Sequence, residues 1–116
     1  MRIYARAGDK RNEIQARPGA ELNLLVGNIW LLKETRRSPP TSVYDLARRC
    51  DMDASNLNKL VRALGKLGAL TVTKKVSGGR VQLEPRVEYS RIEIDFDKAP
   101  TALNARSRFF TVTRAR

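Results

Sequence analysis

Residues 54–80 carry six Lys or Arg and no Asp or Glu, in a chain of 116 residues that holds 12 acids. Ser55, Asn56, Asn58, Lys59, Arg62 and Lys66 come first, and Lys74, Lys75, Ser77, Gly78, Gly79 and Arg80 follow. Cations, amides and hydroxyls without a carboxylate form a donor-rich set suited to anionic oxygens. Asn can pair with adenine, Arg can grip the two acceptors of guanine, and Lys is a mobile point charge for phosphate. A carboxylate among them would face phosphates across a few Å, a cost that salt screens only in part. Paired glycines let main chain approach a surface closely. The chemistry this pattern suits is recognition of a polyanion.

Catalysis is not expected. The chain has no histidine, no glycine-rich phosphate loop, no metal-ligand cluster and no nucleophile beside an evident base. Glu93, Asp95 and Asp97 share a face if their segment is a strand, and a divalent-ion site there is conceivable. A plain polar strand face accounts for them as well, so neither a metal nor a cofactor is expected.

Charge is laid out in blocks. The net charge is +11, with +3 over residues 1–19, 0 over 20–53, +6 over 54–80, −3 over 81–97 and +5 over 98–116. Such an excess favours nucleic acid first and an anionic membrane second, and its patterning favours a directed surface. No apolar run approaches the roughly 18 residues that span a bilayer, and no signal-peptide centre is present, so a cytoplasmic, nucleoid-associated protein is expected. One cysteine, Cys50, leaves no internal disulfide.

The elements that must position the donors follow from periodicity. Residues 1–19 show little of it and read as a flexible basic arm. Residues 20–37 read as one helix, with Leu22, Leu25, Ile29 and Leu32 on a stripe and Leu24 and Leu31 off it. Ser38-Pro39-Pro40 ends that helix. Thr41-Ser42 offers an N-cap to a short helix over 43–50, and Asp53 or Ser55 to a longer one over 54–67. Leu57, Leu60, Val61, Leu64 and Leu67 line the apolar side of the longer helix, and Gly68 stops it. Leu70 and Val72 then alternate with threonines as a strand, Gly78-Gly79 makes a turn, and a second strand runs to Pro85, which interrupts it. Ile92, Ile94 and Phe96 alternate as a third strand, and residues 98–116 form a flexible basic tail in which 109–113 suits a short strand. The expectation is an α+β fold with three helices, a hairpin and one further strand, in a single domain over 20–97.

The stretch SVYDLARRCDMDASNLNKLVRALGKLGALTV resembles the DNA-reading core of MarR-like winged helix-turn-helix regulators of prokaryotes. The continuation is similar to small predicted regulators of bacteria and archaea, often carried on mobile elements. Their domain closes on a proline-arginine-valine, a tyrosine and alternating isoleucines, here Pro85-Arg86-Val87, Tyr89, Ile92 and Ile94. The resemblance covers about residues 40–97. It implies a DNA-binding homodimer that regulates transcription, with the third helix in the major groove and the hairpin as a basic wing on the backbone or minor groove.

Several expectations complete the reading. The 20–37 helix is apolar around more of its circumference than one small core needs, which suits central burial or a dimer contact through Leu24, Trp30 and Leu31. Trp30 and Tyr44 read as core residues, and Cys50 as a packed thiol. The acidic stretch 84–97 precedes the basic tail, so the tail can fold back on it when no nucleic acid is bound. The alternative to double-stranded DNA as partner is an acidic protein gripped by the same fold, as in an antitoxin or complex subunit.

Overall fold

A computed structural model describes residues 1–98; the segment 99–116, with the strand suggested at 109–113, lies outside the described residues. The chain runs β1 (Arg2–Ala7), β2 (Lys10–Ile14), α1 (Ala20–Gly27), α2 (Ile29–Arg37), α3 (Val43–Arg49), α4 (Ala54–Leu67), β3 (Thr71–Ser77), β4 (Arg80–Arg86) and β5 (Arg91–Asp95). The strands form two antiparallel sheets, β2-β1-β5 and β3-β4. The class is α+β, and class and element order are compatible with a winged helix. No helix among the described residues is long and apolar enough to cross a membrane.

The start of the chain corrects the expectation of a flexible arm. Residues 2–14 are a hairpin whose two-residue loop has Gly8 at φ 62° in its first position. Ile3 and Ile14 face each other across the pair and are both 2% exposed. β1 also pairs with β5, matching Ala5 with Ile92 and Ile3 with Ile94. Each strand brings few aliphatic residues, so none is a strong strand by itself. Together they bury one face over the helices. The opposite face is charged and centred on Tyr4, with the Arg11 guanidinium 4.2 Å above its ring. Arg6 Nε donates to Glu93 Oε2 at 2.6 Å across the β1–β5 pair.

The helix expected over 20–37 is two helices, making four among the described residues. Asn28 Nδ2 donates to the Leu24 carbonyl at 2.7 Å, replacing main chain with side chain at the junction. Gly27 and Asn28 are both poor helix formers, so the break costs little. It also resets the helical phase. Leu31, off the stripe of one continuous helix, becomes fully buried, whereas Ile29, on that stripe, is 46% exposed.

The later elements form where local signals put them. Ser42 Oγ accepts from the Asp45 N–H at 3.0 Å, and Asp45 reaches back to the Thr41 N–H at 3.1 Å. That second bond holds the Asp45 carboxyl below its usual range. Asp53, rather than Ser55, caps α4 through the Asn56 N–H at 3.0 Å. The turn between α3 and α4 places Asp51 at φ 55°, and Gly68 ends α4 at φ 85°. Leu57, Val61 and Leu64 are fully buried and form the centre of the core with Leu46 of α3.

Pro85 does not interrupt β4. It lies opposite Val72, five pairs in from the Ser77–Arg80 pair that closes the loop. Counting alternately from that hydrogen-bonded closing pair, position 85 points its ring nitrogen away from β3, so no ladder bond is lost. The segment that follows fastens the domain. Arg86 Nη1 donates to the Pro40 carbonyl at 2.5 Å and Arg36 Nη1 to the Val87 carbonyl at 3.3 Å. Tyr89 Oη donates to the Ala69 carbonyl at 2.6 Å. Three connections between elements are thereby held by residues 86–89.

Candidate nucleic-acid interface

α4 turns its apolar stripe into the core and leaves the opposite side to solvent. On that side Ser55, Lys59, Arg62 and Lys66 are exposed, and Asn58 is half-buried beside them. Asn58 and Arg62 are one turn apart, and Arg62 Nε donates to Asn58 Oδ1 at 3.3 Å. Together with Ala54 they form one wall of a groove of about 360 Å³. The start of α3, Ser42, Val43 and Tyr44, forms its end, and Arg80, Val81, Gln82 and Leu83 of β4 form the other wall. The α4 polar side and the glycine-tipped hairpin therefore share a face. Among the described residues, no carboxylate lines the groove.

Asn56 is not part of this wall. Two residues along a helix are about 200° apart, so Asn56 and Asn58 point to opposite flanks. Lys74 and Lys75 are likewise separated, because neighbours on a strand alternate faces. Lys74 lies opposite Leu83, on the face that carries the buried Leu83 and Pro85, while Lys75 lies opposite Gln82 on the other. There Lys75 Nζ stands 3.6 Å from Glu84. Among the described residues, Lys75 is the only cation of the 54–80 set in an ion pair with a carboxylate. Gly78 and Gly79 form the tip with φ of 58° and 77°, the paired positive values of a tight hairpin loop. The main chain of Ser77 pairs with Arg80 at its base.

Tyr44 and Trp30, read as core from sequence, are 66% and 49% exposed. Tyr44 lies off the Val43, Leu46, Ala47 stripe of α3, and that period alone identifies it as outward. Tyr44, Val81 and Gln82 are groove residues that the charge pattern could not reveal, being neutral. Leu31 is in the core and unavailable to a partner, and Leu24 packs partly against the core.

Two acids of 84–97 form ion pairs within the fold. Glu93 bonds Arg6, and Glu84 also meets Arg86 at 3.3 Å. The proposed contact with the tail concerns mainly residues outside the described ones; Lys98, at its start, sits 5.9 Å from the centre of the Tyr4 ring. Among the described residues no three acidic, histidine or cysteine side chains converge as metal ligands. Burial, aided by Glu34 and opposed by Arg49, pushes the Cys50 thiol above its ordinary value. A reactive thiolate needs the opposite shift.

A family model described as HVO_A0114 matches residues 27–94, more than half of the chain. The chain belongs to the HVO_A0114 family. The matched span begins at the end of α1 and reaches into β5, so every groove residue of this HVO_A0114 member lies inside it. β1 and β2 lie before it. No curated protein and no solved structure matches the chain.

Proposed function

We propose that this HVO_A0114 member is a DNA-binding regulator of transcription, built as a winged helix-turn-helix of the MarR-like kind. α4 enters the major groove of double-stranded DNA and the β3–β4 hairpin serves as the wing. One observation carries this reading: Asn58 and Arg62 of α4 and Arg80 of the hairpin line a single groove that holds no carboxylate among the described residues. The bond between Arg62 and Asn58 orders two side chains that suit guanine and adenine edges. Lys59, Lys66 and Lys74, with no carboxylate partner among the described residues, supply contacts to phosphate.

The protein acts as a homodimer on a two-fold site. Val26, Ile29 and Trp30 along α1 and α2 are each about half exposed, an apolar strip outside the groove that a second copy can cover. Leu31 takes no part.

Selection of bound fragments from a random duplex pool tests the reading. An enriched two-fold sequence, bound by the wild type and lost on Arg62→Glu with Arg80→Glu, is the expected result. No enrichment, together with unchanged duplex affinity in that double variant, would overturn it and leave the gripping of an acidic protein as the use of the same face.

A further inference from the structure

Val76 and Val81 are 73% and 64% exposed, the one at the end of β3 and the other at the start of β4. They lie directly opposite each other, one pair in from the pair that closes the loop. That closing pair is hydrogen-bonded, so the valines occupy the next, non-hydrogen-bonded pair, where facing side chains come closest. They make one apolar knob. Ahead of it stand the closing pair of Ser77 and Arg80 and then the tip, Gly78 and Gly79, at which an added Cβ would meet nothing within 4 Å. Packing therefore does not demand glycine there; the loop conformation does, and it leaves the tip as bare main chain.

The knob sits on the groove side of the hairpin. Val72, Lys74 and Val76 share that face with Val81, Leu83 and Pro85, and Val81 itself lines the groove with Arg62 and Arg80. An aliphatic knob with cations behind it suits a cleft with apolar walls and anionic rims. The minor groove of duplex DNA is such a cleft: sugar C–H groups line it and phosphates edge it. Its width of about 6 Å is too small for both strands, about 4.8 Å apart between axes, to enter whole, so the bare tip and the paired valine side chains are what reach in. Its floor differs between base pairs chiefly in the 2-amino group of guanine, which stands where a close apolar contact would lie.

We infer that Val76 and Val81 enter the minor groove beside the major-groove site of α4 and select A·T over G·C there, because the guanine 2-amino group displaces the valine methyls. This rests on the DNA-binding reading above and adds a specificity that the polar residues of α4 cannot supply.

The test uses the full chain and a duplex recovered by selection. Each A·T pair of the site is replaced in turn by G·C, by inosine·C, which lacks the 2-amino group, and by 2,6-diaminopurine·T, which adds it. At the position facing the hairpin, G·C and diaminopurine·T should each weaken binding about tenfold, while inosine·C binds like A·T. Val76→Ser with Val81→Ser should shrink that difference to about twofold or less; both side chains are exposed, so its melting curve should match the wild type. Equal binding to all four pairs at every position would overturn the inference while leaving DNA binding standing. Full discrimination in the double serine variant would do the same. Failure of the wild type to hold any duplex would remove the DNA reading and this inference with it.

Discussion

The Gln15 N–H donates to the Leu67 carbonyl at 2.9 Å, tying the chain just after β2 to the last turn of α4. Terminal carbonyls of a helix lack intrahelical donors, so this bond fills a vacancy that water or a cap would otherwise fill. The strand comes close there: a Cβ added at Gly68 would lie 3.4 Å from the Glu13 carbonyl oxygen. The N-terminal hairpin thus holds the C-terminal end of the helix whose other side lines the groove.

Removing residues 1–16 should therefore destabilise the domain. The deletion strips Ile3 and Ile14 from the core, each 2% exposed, and uncovers Leu67. Burial of each isoleucine contributes about 1.5–3 kcal/mol. Thermal denaturation followed by circular dichroism should show a large loss of melting temperature or of cooperativity. An unchanged transition would mean that the hairpin is dispensable.

Tyr89→Phe should cost about 1–3 kcal/mol, since the Ala69 carbonyl loses its donor in a place where Ala69 is fully buried. Burial raises the Tyr89 pKa from an ordinary 10.0 to about 12. The native state thus keeps the phenol protonated after the unfolded chain has begun to ionise. The Tyr89 contribution is complete below pH 10 and declines as pH rises from about 10 to about 12. Denaturant titrations from pH 8 to 11 should show a steeper alkaline loss in the wild type than in Tyr89→Phe.

Lys74→Ala and Lys75→Ala should differ although they are neighbours. Lys74 shares a face with Val81 and Leu83, whereas Lys75, on the other, has its charge paired with Glu84. Fluorescence anisotropy with duplex DNA over a range of salt should give a slope reduced by about one unit for Lys74→Ala. Lys75→Ala should leave the slope close to that of the wild type. Equal losses would mean that both faces of the hairpin meet phosphate.

Trp30→Glu and Leu31→Ala separate association from folding. Trp30 is 49% exposed, so if the proposed homodimer forms through it, the glutamate should convert that dimer to a monomer with little change in melting. Leu31 is fully buried, and its truncation should cost about 2–5 kcal/mol of stability. Sedimentation velocity reads the first effect and denaturant unfolding the second. A dimer that persists in Trp30→Glu would move the contact elsewhere.

Much of the candidate site was legible because its determinants are local. The caps at Ser42 and Asp53, the stop at Gly68 and the tip at Gly78-Gly79 each depend on residues within a few positions, where residue type dictates the backbone. The α4 stripe is readable for the same reason: period 3.6 is a property of one helix. The interruption at Asn28 was harder to see. A strong apolar pattern ran through it, and only the competing side-chain bond to Leu24 broke the phase. The N-terminal hairpin carried one readable signal, Gly8-Asp9 between weakly alternating runs, but its pairing required β5. Arg6 and Glu93, which meet across that junction, are 87 residues apart in the chain.

Residue order by itself determined the charge blocks, the helices α3 and α4 and the hairpin tip, since each arises from contacts between near neighbours. Tertiary structure alone decided that Arg62 and Arg80 share a groove, that Lys75 meets Glu84, and that Leu31 turns inward while Trp30 stays out. Those outcomes depend on strand register and helix phase, which are set by how distant apolar faces close on one another.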